Sequence, residues 1–160
     1  MLLTAAFLTV VAGVLLMSCA SSHPRHTLAK PEELGDELHV FVSTNAHPDL
    51  CSLRVNVHRF RGTATGFWGA ENRAPTTIVG SAILEIKGGK VPIPNSAFRD
   101  LGEVQYPAQV GFVDDGSPSF FIRGGDAGFA YTARFEVREN RLRKRIVTLD
   151  ESDFREESRF

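Results

Sequence analysis

Cysteine, methionine and tryptophan are scarce in this 160-residue chain, which holds two, two and one of them. Both methionines, Met1 and Met17, fall in the opening segment, so a methionine-rich copper site is excluded from the rest. Two cysteines, Cys19 and Cys51, allow one disulfide at most and rule out a disulfide scaffold. Sustained helical periodicity is also missing after the opening segment, which argues against a bundle and against alternating βα units. No phosphate-binding glycine loop and no nucleophile-elbow motif occurs. Neither sign of charge dominates, with 18 basic and 19 acidic residues giving a net charge of −1. No overall field therefore draws the chain to nucleic acid, and none is expected as a partner. Lysine is rare among the basic residues, four against fourteen arginines, and arginine is the side chain suited to planar pairing with carboxylates.

The opening run, residues 1–19, contains no Asp, Glu, Lys or Arg and ends in Leu16-Met17-Ser18-Cys19. An apolar segment followed by an aliphatic residue, a small residue and cysteine resembles the bacterial lipoprotein signal. The resemblance covers these residues only, and no family is recognised for the remainder. It departs from the usual form in lacking a Lys or Arg ahead of the apolar run. What it implies is cleavage before Cys19, lipidation of the Cys19 thiol, and residues 1–18 as a signal peptide that inserts as an apolar helix. Ala20 after the cysteine, rather than aspartate, resembles lipoproteins passed on to the outer membrane of a Gram-negative envelope. Two other readings, a plain secretory signal cut near Ala20 and an uncleaved transmembrane helix, also place the folded part outside the cytoplasm.

Residues 19–36 carry little to bury beyond Leu28 and Leu34 and read as a flexible tether holding the domain away from the bilayer. From residue 37 apolar and polar residues alternate. Leu38, Val40 and Val42 share one face of a strand, and Leu53, Val55 and Val57 share one face of another. Residues 61–75 read as a long loop, and 77–86 resumes strand character before the turn Lys87-Gly88-Gly89-Lys90. Pro92 and Pro94 demote the next strand to an edge. Two more hairpins follow, around Asp114-Asp115-Gly116-Ser117-Pro118 and around Glu139-Asn140. Eight or so short strands joined by hairpin turns predict an all-β domain over 37–149, an antiparallel two-sheet sandwich of immunoglobulin-like size. The alternative is a small β-barrel of the lipocalin kind, suggested by the glycine-any-tryptophan form Gly66-Phe67-Trp68. Residues 150–160 read as a frayed acidic tail, able to fold back on the basic stretch that precedes it.

Several residues are candidates for function. Cys19 is the lipidation site. His47, Asp49 and Cys51 alternate at period two and are weak candidates for a metal or thiol site, with His39 or His58 as the additional ligand or base. Against that, His47-Pro48-Asp49 is also turn chemistry, and Cys51 suits a buried small hydrophobe. Phe67 and Trp68 in their glycine-rich loop are either an aromatic platform or core. Arg141, Arg143 and Arg145 form either a surface for an acidic envelope protein or anionic polymer, or a solvated edge.

The expected function is that of a membrane-anchored envelope lipoprotein facing the periplasm. Its sandwich is a non-catalytic binding or structural module with no cofactor, and its membrane contact runs through Cys19. The alternatives are a carrier of small hydrophobic ligands and, further off, a metal or thiol protein using His47, Asp49 and Cys51.

Overall fold

The computed structural model describes residues 26–44, 51–105, 109–112, 116–150 and 152–160. Among these residues nine strands run in chain order: β1 (Leu34–Thr44), β2 (Cys51–Phe60), β3 (Thr77–Ile86), β4 (Gly89–Val91), β5 (Gln109–Phe112), β6 (Pro118–Gly124), β7 (Tyr131–Arg138), β8 (Arg141–Leu149) and β9 (Arg155–Arg159). They form two open antiparallel sheets, β1-β2-β3-β4 and β5-β6-β7-β8-β9, so the two-sheet sandwich is the architecture and the closed barrel is not. Each sheet is a simple meander in which chain neighbours are sheet neighbours. The resemblance to an immunoglobulin domain thus ends at size, because that fold connects its strands in a Greek key.

Local turn chemistry explains why the hairpins close where they do. Lys87 and Gly88 both have positive φ (49° and 76°), as do Glu139 and Asn140 (52° and 55°). Two consecutive left-handed residues make the turn whose twist matches that of antiparallel strands.

Bulges redirect the strands between the turns. Between β2 and β3 the register slips after Asn56↔Ser81 to Val57↔Val79, leaving Gly80 unpaired. A Cβ at Gly80 would lie 2.3 Å from the His58 ring, so only glycine leaves that ring its place.

The core lies between the sheets. β2 supplies Cys51, Leu53, Val55 and Val57, and β3 supplies Val79, Ala82 and Leu84. The other sheet answers with Phe120, Ile122, Tyr131, Ala133, Phe135, Val137, Leu142 and Val147. Phe120 and Phe135, directly paired across β6 and β7, stack with ring centroids 4.3 Å apart. A small satellite cluster of Ala29, Phe60, Phe67, Ala70 and Ile78 sits apart from this core. Residues 101–104 stitch the two sheets together through the bridges Ile78↔Gly102 and Val104↔Gly124.

Two expectations about the ends need correction. The segment expected to be a free tether is docked from His26 onward: Thr27 N–H donates to Gly66 O and Ala29 N–H to Arg99 O, both at 3.0 Å, and Ala29 is buried. The acidic tail is not frayed over 155–159 but forms β9, paired with β8 from Lys144↔Arg159 to Thr148↔Arg155. Opposite charge explains the pairing, since Glu156 and Glu157 meet Arg145 and Lys144.

Candidate functional site

Trp68 organises one end of the sandwich. It belongs to the main core, whereas its neighbour Phe67 turns into the satellite cluster and meets Phe60 edge-on with centroids 5.0 Å apart. Both are 3% exposed, so the pair is not an exposed aromatic platform. Backbone bonds hold the indole in place. Trp68 N–H donates to Asp100 O at 2.9 Å, and Gly102 N–H donates to Trp68 O at 3.0 Å. Gly69 follows at φ 81°, where a Cβ would lie 2.9 Å from Gly102 O, Gly125 N and the Tyr131 ring, so no side chain fits.

The indole is surrounded by Tyr131 (6.3 Å between centroids), Phe154 (5.8 Å) and His26, whose imidazole stacks on it at 4.0 Å. His26 is itself fixed: Nδ1–H donates to Gly66 O at 3.2 Å, and Nε2 lies 3.5 Å from Glu156. Beside it opens a cleft of about 340 Å3 walled by Phe67, Trp68, Phe129 and Leu149, with His26 and Glu71 among its polar lining. That volume is at the lower end of the range of small-molecule pockets, about 300–1,000 Å3. The lining has one carboxylate, Glu71, and no Lys or Arg, so its chemistry suits a neutral apolar guest rather than an anion.

A polar network that runs from the buried Tyr131 out to the surface lies behind this end. Tyr131 O–H donates to Gly102 O at 2.9 Å. Burial, reinforced by the nearby Asp100 and Glu103 carboxylates, pushes the Tyr131 phenol well above its ordinary value. For Glu103, burial by itself would raise the carboxyl. Hydrogen bonds from Thr76 Oγ1 (2.6 Å), Thr76 N–H (2.9 Å) and Arg73 Nη1 (2.6 Å) outweigh that and hold it below the usual carboxylate range.

The arginine ladder of β8 does not exist as one surface. The register passes from Glu136↔Lys144 to Val137↔Leu142, so Arg143 is the extra residue of a bulge. Beyond the bulge the faces exchange. Arg141 and Arg143 are exposed, whereas Arg145 points inward, is 4% exposed and donates to Asp100 Oδ1 at 2.5 Å, Ala97 O at 3.2 Å and Glu156 Oε1 at 3.2 Å. A guanidinium so paired belongs to the fold and is not available to a partner. Two of the other basic groups are ion-paired in place, Arg143 with Glu139 and Lys144 with Glu136 and Glu157. A second cleft, about 460 Å3, runs over this ion-paired surface between Arg138, Arg143, Arg159 and the three glutamates.

Of the metal or thiol candidates, His47 and Asp49 lie outside the described residues, as does Cys19. Cys51 is buried, and burial raises its thiol pKa, the opposite of what a nucleophile or a readily formed ligand needs. It lines a third cleft, about 420 Å3, with Ile86, Pro118 and Val137 at the other end of the β7–β8 hairpin. His58 Nδ1–H donates to Gly35 O at 3.0 Å, and His39 is an exposed residue of β1. Among the described residues no group of three or more His, Cys, Asp or Glu is arranged to hold a metal. No helix among them is long and apolar enough to cross a membrane.

Comparison with protein-family models, curated proteins and solved structures finds no match.

Sequence reasoning singled out Trp68 but missed His26, Phe129 and Leu149; it allowed for the acidic tail folding back on the basic strand but missed Asp100 as a partner of Arg145. His26 carried no signal, since a histidine in a polar stretch reads as solvated. The paired Glu156 carried one, in the acidic residues that follow a basic strand.

Proposed function

We propose that the chain is a lipid-anchored lipoprotein of a bacterial envelope, held at the outer membrane through Cys19, and that its β-sandwich is a non-catalytic binding or structural module facing the periplasm. One observation carries this reading. The Leu16-Met17-Ser18-Cys19 motif stands seven peptide units before His26, and the chain just after His26 is strapped onto the sandwich by Thr27 and Ala29. A doubly or triply acylated cysteine supports the anchor, because more than one chain is needed for stable anchoring. A module role is supported by the ion pairs that tie Lys144 and Arg145 of β8 to Glu136, Glu157, Asp100 and Glu156 within the fold.

The test is fractionation of the full chain. Cys19→Ala should leave the membrane fraction, and globomycin, which blocks lipoprotein signal cleavage, should increase the apparent size. A Cys19→Ala chain that stays with the membrane overturns the anchor. Capture of partners from cross-linked envelopes tests the module, with Arg141→Ser and Arg143→Ser as the surface control. Arg145 is left intact there, because its loss would damage the fold rather than a docking face.

A further inference from the structure

We infer that the Trp68 cleft is the membrane-facing end of the domain and that it takes an acyl chain of a phospholipid from the leaflet in which Cys19 is anchored. The inference rests on the lipid-anchor reading and adds to it an orientation and a ligand class.

Covalent reach comes first. Seven peptide units separate Cys19 from His26, and an extended chain covers at most about 3.6 Å per residue, so His26 lies within about 25 Å of the anchored residue. His26 is also the residue stacked on Trp68 and lining the cleft. The strap therefore brings this end of the sandwich to the bilayer. The opposite end of the same hairpin, where Val137 pairs with Leu142, lies six residues along β7 from Tyr131↔Leu149, a further 20 Å or so at strand rise. Only one end of the domain is kept at short range.

The chemistry of the cleft selects the guest. Phe67, Trp68, Phe129 and Leu149 make an apolar wall, and Glu71 with no accompanying Lys or Arg disfavours a phosphate. Phe129 is 38% exposed at this cleft, and Leu28, on the strap itself, is 45% exposed. Large apolar side chains left in water beside a bilayer-tethered segment gain by entering its interfacial region.

The single tryptophan supplies the test. Full-length lipidated protein is reconstituted in vesicles of dioleoyl phosphatidylcholine, and separately in vesicles whose acyl chains carry bromine. Trp68 emission is expected to fall roughly twofold in the brominated vesicles, because quenching requires contact with the acyl chains that enter the cleft. Phe129→Glu, and the milder Phe129→Ser, should restore most of the emission, while Val42→Glu, an exposed apolar residue of β1, should be quenched like the parent chain. Equal emission in plain and brominated vesicles overturns the inference, and so does quenching that Phe129→Glu leaves untouched. Flotation of the same samples separates the two readings. A chain that floats through Cys19 while Trp68 stays silent removes the cleft inference alone, whereas a Cys19→Ala chain that floats like the parent removes the anchor and the inference built on it.

Discussion

β1 and β2 are adjacent strands written in the same alternating pattern, and the sandwich treats them oppositely. Leu53, Val55 and Val57 of β2 are fully buried, whereas Leu38, Val40 and Val42 of β1 are 37–57% exposed. The register explains the reversal. Phe41 is set opposite Val55 and Ser43 opposite Leu53, so these face inward with β2's apolar residues, while Val42 lies opposite Arg54 and Val40 opposite Asn56 on the outer surface. A strand's alternation says that it has two unlike faces. Which face is buried depends on the partner strand, and a shift of one residue exchanges them. β8 teaches the same lesson with charges, since the bulge at Arg143 puts Arg141 and Arg143 on the outside and Arg145 within.

The sharpest way to break the comparison is at the inward-turned charge. Arg145→Leu should cost about 3–5 kcal/mol, because Asp100 is left buried without its partner, and chemical denaturation would read this as a large fall in midpoint. Changing Asp100 to Ala as well should recover part of the loss, and failure to recover would mean that the pair is not what holds the strand.

Leu53→Ala comes next, with an expected loss of about 2–5 kcal/mol from a fully buried side chain. A loss below that of an exposed site would mean that β2's apolar face is not the core face.

Glu103 offers a pH test. Its folded-state pKa is depressed, so its contribution is present above the unfolded value of about 4.3 and is lost as pH falls through the lower folded value. Glu103→Gln should lower stability at neutral pH by about 1.5–3 kcal/mol, the worth of hydrogen bonds to a charged acceptor. It should also flatten the decline on the acid side of pH 4, measured by denaturation across pH. An unchanged acid limb would show that Glu103 is not the group responsible.

Val42→Ser should move stability by no more than about 0.5 kcal/mol, as surface changes do. Set beside Leu53→Ala, it measures directly how differently the two equal patterns are used. A loss of Leu53 size would place the face of β1 inside after all.

Much of the fold was legible because hairpins are local objects. Lys87-Gly88 and Glu139-Asn140 carry their turn geometry in residues next to each other, and the alternation on either side sets strand length and antiparallel pairing. The candidate site was legible only in part. Trp68 stood out by its rarity, but whether it lay exposed or buried was left open. Nothing near it in sequence announces His26, Phe129 or Leu149, which reach the cleft from three separate parts of the chain. β9 was half visible. Its adjacent Glu156 and Glu157 complement Arg145 and Lys144 of β8, but a run without apolar residues gives no strand signal of its own.

The sequence by itself determined what short-range chemistry can determine: the apolar opening run and its cysteine, the class of the domain, the positions of most strands and turns, and the absence of a net field. The tertiary structure alone decided which face of each strand is inside, that the ladder of β8 is broken, and that the segment after His26 is a strap rather than a tether. The physical reason is that burial is a property of pairs of segments. Register, bulges and the meeting of distant loops settle it, and these depend on hydrogen bonds and packing between residues tens of positions apart.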